Sequence, residues 1–285
     1  MRLTTLRVGE TEPAALVRQS GVVPLTELNR EFGTTWSTTV QELLEQGEVE
    51  QLRDWVAGDA AADRLDRLAL PEDQRTHAPL YRHPRKIWGI GLNYVEHAAD
   101  LSEKAPSTEP ASFLKPDTAI IGPGEPIRVP PQSERTTAEG ELGLVIGRRC
   151  KDVEEADAPG VVAGFTTVID MTAEDILEKN PRYLTRSKSF DTFFVFGPEL
   201  VTVDEVADVD ALEVSTVHNG RVHRCNVVSN MTFRPWWLVA FHSRVMTLLP
   251  GDVISTGTPG AVHIRPGDTA GCTITGFRDL SNPVE

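Results

Sequence analysis

The alternation of apolar and polar positions is clearest between residues 137 and 170. In TAEGELGLVIGRR, successive side chains of a strand would point to opposite faces. Glu139, Glu141 and Gly143 then share one face, and Leu142, Leu144 and Ile146 share the other. One face predicts a core and the other a site. The apolar run 161–169 reads as a buried strand that ends on Asp170. Shorter patterns flank this pair. Residues 3–8 and 21–25 read as strands between Gly- and Pro-containing turns. Residues 38–46 and 49–56 read as short amphipathic helices, with Gly47 a stop for the first. Residues 59–70 fit a helix or a linker. Pro71, Pro79 and Pro84 interrupt regular structure, which places a boundary between Leu70 and Lys86. The expected organisation is a small leading module over 1–75 and a larger one over 80–285.

The larger module opens with a strand over 86–90, a turn at Gly91 and a helix capped by Asn93, with Glu96 completing a capping-box pattern. On that helix His97 and Asp100 would share a face. A carboxylate beside an imidazole orients it and raises its basicity, as a general base requires; a surface pair has the same spacing. Residues 101–135 are rich in Pro, Gly, Ser and Thr and read as a lid or binding loop, with short strands over 113–115 and 127–129. Thr172 is positioned to cap a helix through Leu177, with Asp175 in its first turn. Residues 212–217 and 222–227 flank His218-Asn219-Gly220-Arg221, and Asn-Gly is a strong hairpin signal. Residues 231–248 have helical periodicity, and their Trp236, Trp237, Phe241 and Met246 fit a core or a subunit interface. A strand over 253–256 leads into Gly257-Thr258-Pro259-Gly260, a loop whose backbone can approach an anion or simply turn.

Composition narrows the function classes. The chain has 285 residues and a formal net charge of -14, which argues against nucleic acid and against an anionic membrane surface. Cys150, Cys225 and Cys272 are far apart and show neither a disulfide framework nor zinc spacing. No stretch has the length and apolarity of a signal peptide or a membrane span, so a cytoplasmic protein is expected. There is no internal repeat, heptad run, Walker-type loop or Gly-x-Gly-x-x-Gly.

Candidate chemistry centres on the carboxylates. Glu139, Glu141 and Asp170, brought together by two strands, would repel unless a cation lay among them, and hard divalent ions prefer carboxylate oxygens. A solvated strand face and a turn-forming Asp fit the same spacing. Arg182, Arg186 and Lys188 form the densest cationic group, readable as an anion clamp, an electrophilic lysine beside the metal, or a solvated loop.

Taken in order, GLNYVEHAAD, FLKP, EGELGLVIG, AGFTTVIDMTAED, KSFDTFFVFGPEL, HNG, LLPGDVISTGTPG and LSNPV resemble the fumarylacetoacetate hydrolase family from Lys86 to the end of the chain. The resemblance implies an α+β, mostly β fold: a mixed β-sandwich or roll catalytic domain, with a small N-terminal α/β module, usually in a homodimer. It implies Mg²⁺ or Mn²⁺ at Glu139, Glu141 and Asp170, and a water-activating dyad at His97 and Asp100. It further implies a substrate-side lysine at Lys188 and substrate contacts from Tyr94, Arg224, Gly257 and Thr258. Three positions depart from the family pattern. Asp100 replaces a Glu, Glu174 replaces a substrate-facing Arg, and Arg224 stands where Gln is common. The expectation is that Arg224 restores part of the positive charge lost at 174. The implied activity is hydrolysis of a carbon–carbon bond in a β-diketo acid of the acylpyruvate type. Decarboxylation of oxaloacetate, keto-acid isomerisation, keto-deoxy sugar acid dehydration and a non-catalytic keto-acid-binding protein are the alternatives.

Overall fold

The computed structural model describes residues 1–58, 62–71, 76–95 and 106–285. Three strands open the chain, β1 (Arg2–Thr5), β2 (Ala14–Arg18) and β3 (Gly21–Pro24), followed by helices at Leu25–Phe32, Val40–Glu45, Glu48–Val56 and Ala62–Leu68. Then come β4 (Ile87–Gly91), β5 (Ala111–Lys115), β6 (Ile120–Ile121), β7 (Thr136–Ile146) and β8 (Val162–Ala173). Two short helices, Glu174–Lys179 and Leu184–Lys188, lead to β9 (Phe194–Phe196), β10 (Glu199–Thr202), β11 (Glu213–His218) and β12 (Arg221–Val227). The helix Pro235–Val245 precedes β13 (Val253–Ser255), β14 (Ala261–Ile264), β15 (Thr269–Ile274) and β16 (Leu280–Pro283).

Among the described residues these strands form two sheets. The larger runs β3–β2–β1–β10–β8–β7–β13–β4–β5, with β14 also on β7, and β9 joining β6 to β8; the smaller runs β12–β11–β15–β16. The fold is α+β and mostly strand, as expected. The N-terminal strands belong to the same sheet as the carboxylate strands, because β1 pairs antiparallel with β10, Leu3 opposite Leu200. Leu142, Leu144, Phe165, Ile169 and Ile254 are buried in the core that both sheets share.

The two sheets meet closely behind β7. A Cβ on Gly140 would stand 2.7 Å from Ser215 O and 3.0 Å from the Thr216 Cα of β11. No side chain fits there, which accounts for a glycine between the two glutamates. The Thr216 hydroxyl accepts the Gly140 N–H at 3.0 Å and donates to Gly260 O at 2.7 Å, tying the small sheet to the edge of the site.

Several expectations are corrected. The strand read over 161–169 continues to Ala173, so Asp170 lies inside β8 and not at its end. The ladder with β7 carries on through Asp170, Met171 and Thr172, and nearby lysines make a mid-strand carboxylate tolerable. Thr172 does not cap the next helix. Ala173 holds the cap position with no side-chain hydrogen bond, and the Thr172 hydroxyl donates to Glu139 Oε1 at 2.8 Å. The expected capping box of Asn93 with Glu96 extends outside the described residues. The buried Asn93 side chain also clips distant backbone, Nδ2 donating to Phe233 O at 2.9 Å and Thr256 O at 2.7 Å and Oδ1 accepting Phe233 N–H at 2.8 Å. The helix read over 231–248 spans Pro235–Val245, starting where proline is tolerated at a first turn. Residues 127–129 make only a bridge, Ile127 to Val284. The strand Ala14–Arg18 and the helix Leu25–Phe32 were not read from the sequence, although Leu25, Leu28 and Phe32 recur at helical spacing; Leu16, Leu25 and Leu28 are buried. The Asn219–Gly220 turn is as expected, with both residues at positive φ, 50° and 74°.

Gly140→Ala should force β7 and β11 apart. Overpacking of this kind costs about 1–3 kcal/mol, so a thermal melt should show a midpoint several degrees lower. An unchanged midpoint would mean that this contact does not hold the sheets at their spacing.

Candidate metal centre and substrate cavity

Strand register assembles the centre. Glu139 lies directly opposite Asp170 across the antiparallel β7–β8 ladder, and Glu141, two residues along, presents to the same face. Like charges facing each other across a ladder are destabilising, and Glu141 and Asp170 are each only 1% exposed. Two lysines answer this. Lys188, closing the helix Leu184–Lys188, sets its Nζ 3.0 Å from Glu139 Oε2 and 2.8 Å from Asp170 Oδ2, 4.7 Å from the Phe113 ring centroid. Lys115, the last residue of β5, donates to Asp170 Oδ1 at 2.5 Å and to Met171 O at 3.2 Å. Sequence reasoning gave Lys115 no role. Its signal was a lone lysine closing an apolar strand within FLKP.

The electrostatics follow from burial. Desolvation, then the charges of Asp170 and Glu139, push the Glu141 carboxyl up to about 8. Its Oε2 accepts from Ser255 Oγ at 2.5 Å and from the Gly257 N–H at 2.9 Å. Burial alone would depress Lys188, but Asp170, then Glu139 and Glu141, outweigh it and hold the ammonium above its ordinary range. Lys115 is lowered, chiefly by burial, with Asp170 opposing. One oxygen from each of Glu139, Glu141 and Asp170 lies within 4.8 Å of the others. Three hard oxygen donors, only partly neutralised by two ammonium groups, suit a hard divalent cation such as Mg²⁺ or Mn²⁺.

Beside the carboxylates lies a cavity of about 450 Å³. Its wall includes the polar residues Glu139, Thr172, Lys188, Thr258 and Glu174 and the apolar residues Leu92, Phe113, Leu177, Pro181 and Leu184. Leu92 has φ +56°, an unusual backbone state for leucine. Gly257, at φ +99°, could not carry a Cβ, which would lie 2.8 Å from Asn93 Cβ and 3.0 Å from Ile90 O. Its N–H, on the loop that the resemblance implies contacts the substrate, donates to Glu141 Oε2. The Thr258 hydroxyl reaches Thr216 Oγ1 at 3.1 Å and accepts the Gly260 N–H at 3.2 Å.

The structure thus brings Glu139, Glu141, Asp170 and Lys188 together, with Gly257 and Thr258 beside them. Tyr94 is wholly buried, its backbone bridged to Met231, and is not part of the cavity wall. Arg224 lays its side chain across Gly260, where a Cβ would meet Arg224 Cγ at 2.4 Å, and likewise stands outside the wall. The cation beside Glu174 is Arg135, with Nε 2.8 Å from Glu174 Oε2; its Nη2 pairs with Glu178. Arg182 is exposed, and Arg186 donates to Gln132 at 3.3 Å. His97 and Asp100 lie outside the described residues.

Comparison with known proteins gives a consistent picture. The family described as fumarylacetoacetate (FAA) hydrolase C-terminal matches residues 86–285. The human mitochondrial oxaloacetate tautomerase FAHD2A is 36% identical over 262 residues, 89% of this chain and 82% of its own. A putative HpcE protein from Mycobacterium smegmatis superposes with a TM-score of 0.85 at 30% identity, covering 100% of this chain and 99% of that one. Maleylpyruvate hydrolase from Sphingobium sp. SYK-6, in complex with manganese(II) and pyruvate, superposes at 0.80 with 27% identity, covering 100% and 98%.

Two outcomes check the centre. A proton on Glu141 competes with a cation, so Mn²⁺ affinity measured by calorimetry should weaken as pH falls below about 8, by up to about tenfold per unit. A flat profile from pH 6 to 9 would remove Glu141 from the ligand set. Gly257→Ala, which displaces the donor that orients Glu141, should weaken Mn²⁺ binding by about tenfold or more, and parental affinity would show that the donor is dispensable.

Proposed function

The chain belongs to the fumarylacetoacetate hydrolase family, and on that premise we propose that it hydrolyses the carbon–carbon bond of an acylpyruvate-type 2,4-dioxo acid in a divalent-metal-dependent reaction. The observation that carries this reading is the Lys188 ammonium, held by Glu139 and Asp170 at the edge of a cavity sized for a small keto acid. A divalent cation held by Glu139, Glu141 and Asp170 would supply Lewis-acid polarisation of the substrate's 2-oxo group.

The chain's own residues do the rest. Lys188 presents fixed positive charge where the pyruvate half gains negative charge as the bond breaks, and preorganised charge of this kind is often the largest catalytic contribution. Lys115 fixes one oxygen of Asp170, and Ser255 with the Gly257 N–H fixes Glu141, so the ligand carboxylates need little reorganisation. His97, oriented by Asp100, takes a proton from water, and the oxygen adds to the distal carbonyl. The bond to C3 then breaks, and C3 takes up a proton to leave pyruvate and the carboxylic acid of the acyl group. Support for this dyad is the resemblance of GLNYVEHAAD to the family segment.

A second reading, keto–enol tautomerisation of a 2-oxo acid, is favoured by the similarity to the human oxaloacetate tautomerase. It needs proton transfer at C3 without attack by water. A homodimer, a cytoplasmic location and a division into 1–75 and 80–285 belong to the same proposal. Among the described residues no helix is long and apolar enough to cross a membrane. The ring of Trp237 stacks between Phe233 at 4.7 Å and Phe241 at 5.0 Å, and Trp236 and Trp237 pack against the core.

Pyruvate release from acylpyruvates with Mg²⁺ or Mn²⁺ tests the proposal. Glu141→Ala and Lys188→Met should each lower kcat by about 100-fold or more. His97→Ala should abolish release. Loss of oxaloacetate enol absorbance in the parent, without pyruvate release from any acylpyruvate, would replace hydrolysis by the tautomerase reading.

A further inference from the structure

The far end of the cavity bears on the part of the substrate that does not react. Asp170 and Thr172 alternate onto one face of β8, and Glu174 opens the helix that follows the strand. Thr172 and Glu174 both line the cavity. The ionisable wall residues among those described are Glu139, Glu174, Glu178 and Lys188. Lys188 is committed at the inner end to Glu139 and Asp170. The nearest guanidinium at the outer end, Arg135, is shared between Glu174 and Glu178 and is no part of the wall. That group of one cation and two carboxylates leaves the outer end net negative. The rest of the wall is largely apolar, with Leu92, Phe113, Leu177, Pro181 and Leu184.

From this we infer that the cavity selects 2-oxo acids whose tail is uncharged, an alkyl, aryl or neutral acyl group, and rejects those that end in a second carboxylate. A carboxylate tail would be desolvated beside Glu174 with no uncommitted cation on the wall among the described residues to receive it, which is costly in a partly buried site. An apolar tail instead covers the apolar wall. Selectivity here comes from a repulsive element as much as from an attractive one. The inference rests on the proposed binding of a 2-oxo acid at the metal centre and adds the chemical class of its tail. Dicarboxylates such as oxaloacetate would then be poor ligands, in contrast to the similar human protein, whose name records oxaloacetate.

A matched pair of unreactive ligands separates the two claims. Binding of oxalate, 2-oxohexanoate and 2-oxoadipate to the full chain with Mn²⁺ is measured by calorimetry, for the parent, Glu174→Gln and Glu174→Arg. The two 2-oxo acids differ in a terminal methyl against a carboxylate, and each Kd is read relative to oxalate on the same protein. The parent should bind 2-oxohexanoate about tenfold more tightly than 2-oxoadipate. The ratio should fall towards one in Glu174→Gln, where Arg135 is released from one carboxylate, and should invert in Glu174→Arg. If Glu174→Arg does not fold, Glu174→Gln decides. A parent that prefers 2-oxoadipate, or a ratio that Glu174→Gln leaves unmoved, overturns the inference while oxalate binding leaves the metal-centre reading standing. Failure of oxalate itself to bind overturns both.

Discussion

Two carboxylates facing each other across a buried ladder set the terms for the rest of the molecule. Glu139 and Asp170 are opposite partners in β7 and β8, a pairing that a sheet built only for stability would avoid. The arrangement persists because elements distant in sequence deliver positive charge to it. Lys115 arrives from the end of β5, Lys188 from a short helix after β8. Each lysine is itself nearly inaccessible, and an isolated buried ammonium is as unfavourable as an isolated buried carboxylate. Acids and bases therefore hold one another in the folded state, and the loops that carry the lysines are constrained by electrostatics as well as by packing.

The part of this that sequence made legible is the part governed by period. Alternation over 137–146 put Glu139 and Glu141 on one face, and the apolar run after it marked the partner strand. The register that sets Asp170 opposite Glu139 was not readable, since it depends on how far two separate strands overlap. The same limit explains Asp170 as a strand end and Thr172 as a cap, because both residues look like punctuation until the ladder is seen to continue past them. Lys115 and Arg135 were missed for a related reason. Each acts on a partner more than 35 positions away in the chain, beyond the reach of any local pattern. Asn93 carries a short-range signature of a helix cap, and no local pattern announces that its amide also donates to backbone at Phe233 and Thr256.

The site divides into a charged end and a wall at Glu174. Carboxylates, lysines and the Gly257 loop form the charged end. The Glu174 wall departs from the pattern that the family resemblance implies. The charge expected there from the family pattern is reversed, and the neighbouring Arg135 is turned to balancing acids. Arg224 lies over Gly260 and is not among the wall residues, and the cation paired with Glu174 is Arg135. On the proposed function, reaction type and substrate range would then rest on different residues, as is common where one scaffold supports several activities.

The Thr216 hydroxyl joins the Gly140 amide of the large sheet to the Gly260 carbonyl of the cavity rim. Opening the sandwich at this point removes the rim in the same step. The protein accordingly has no separate melting temperature for this side of its cavity, and heat inactivation and sheet separation become one cooperative event. Tolerance of the site to temperature is then set in the small sheet, among residues that never touch a substrate.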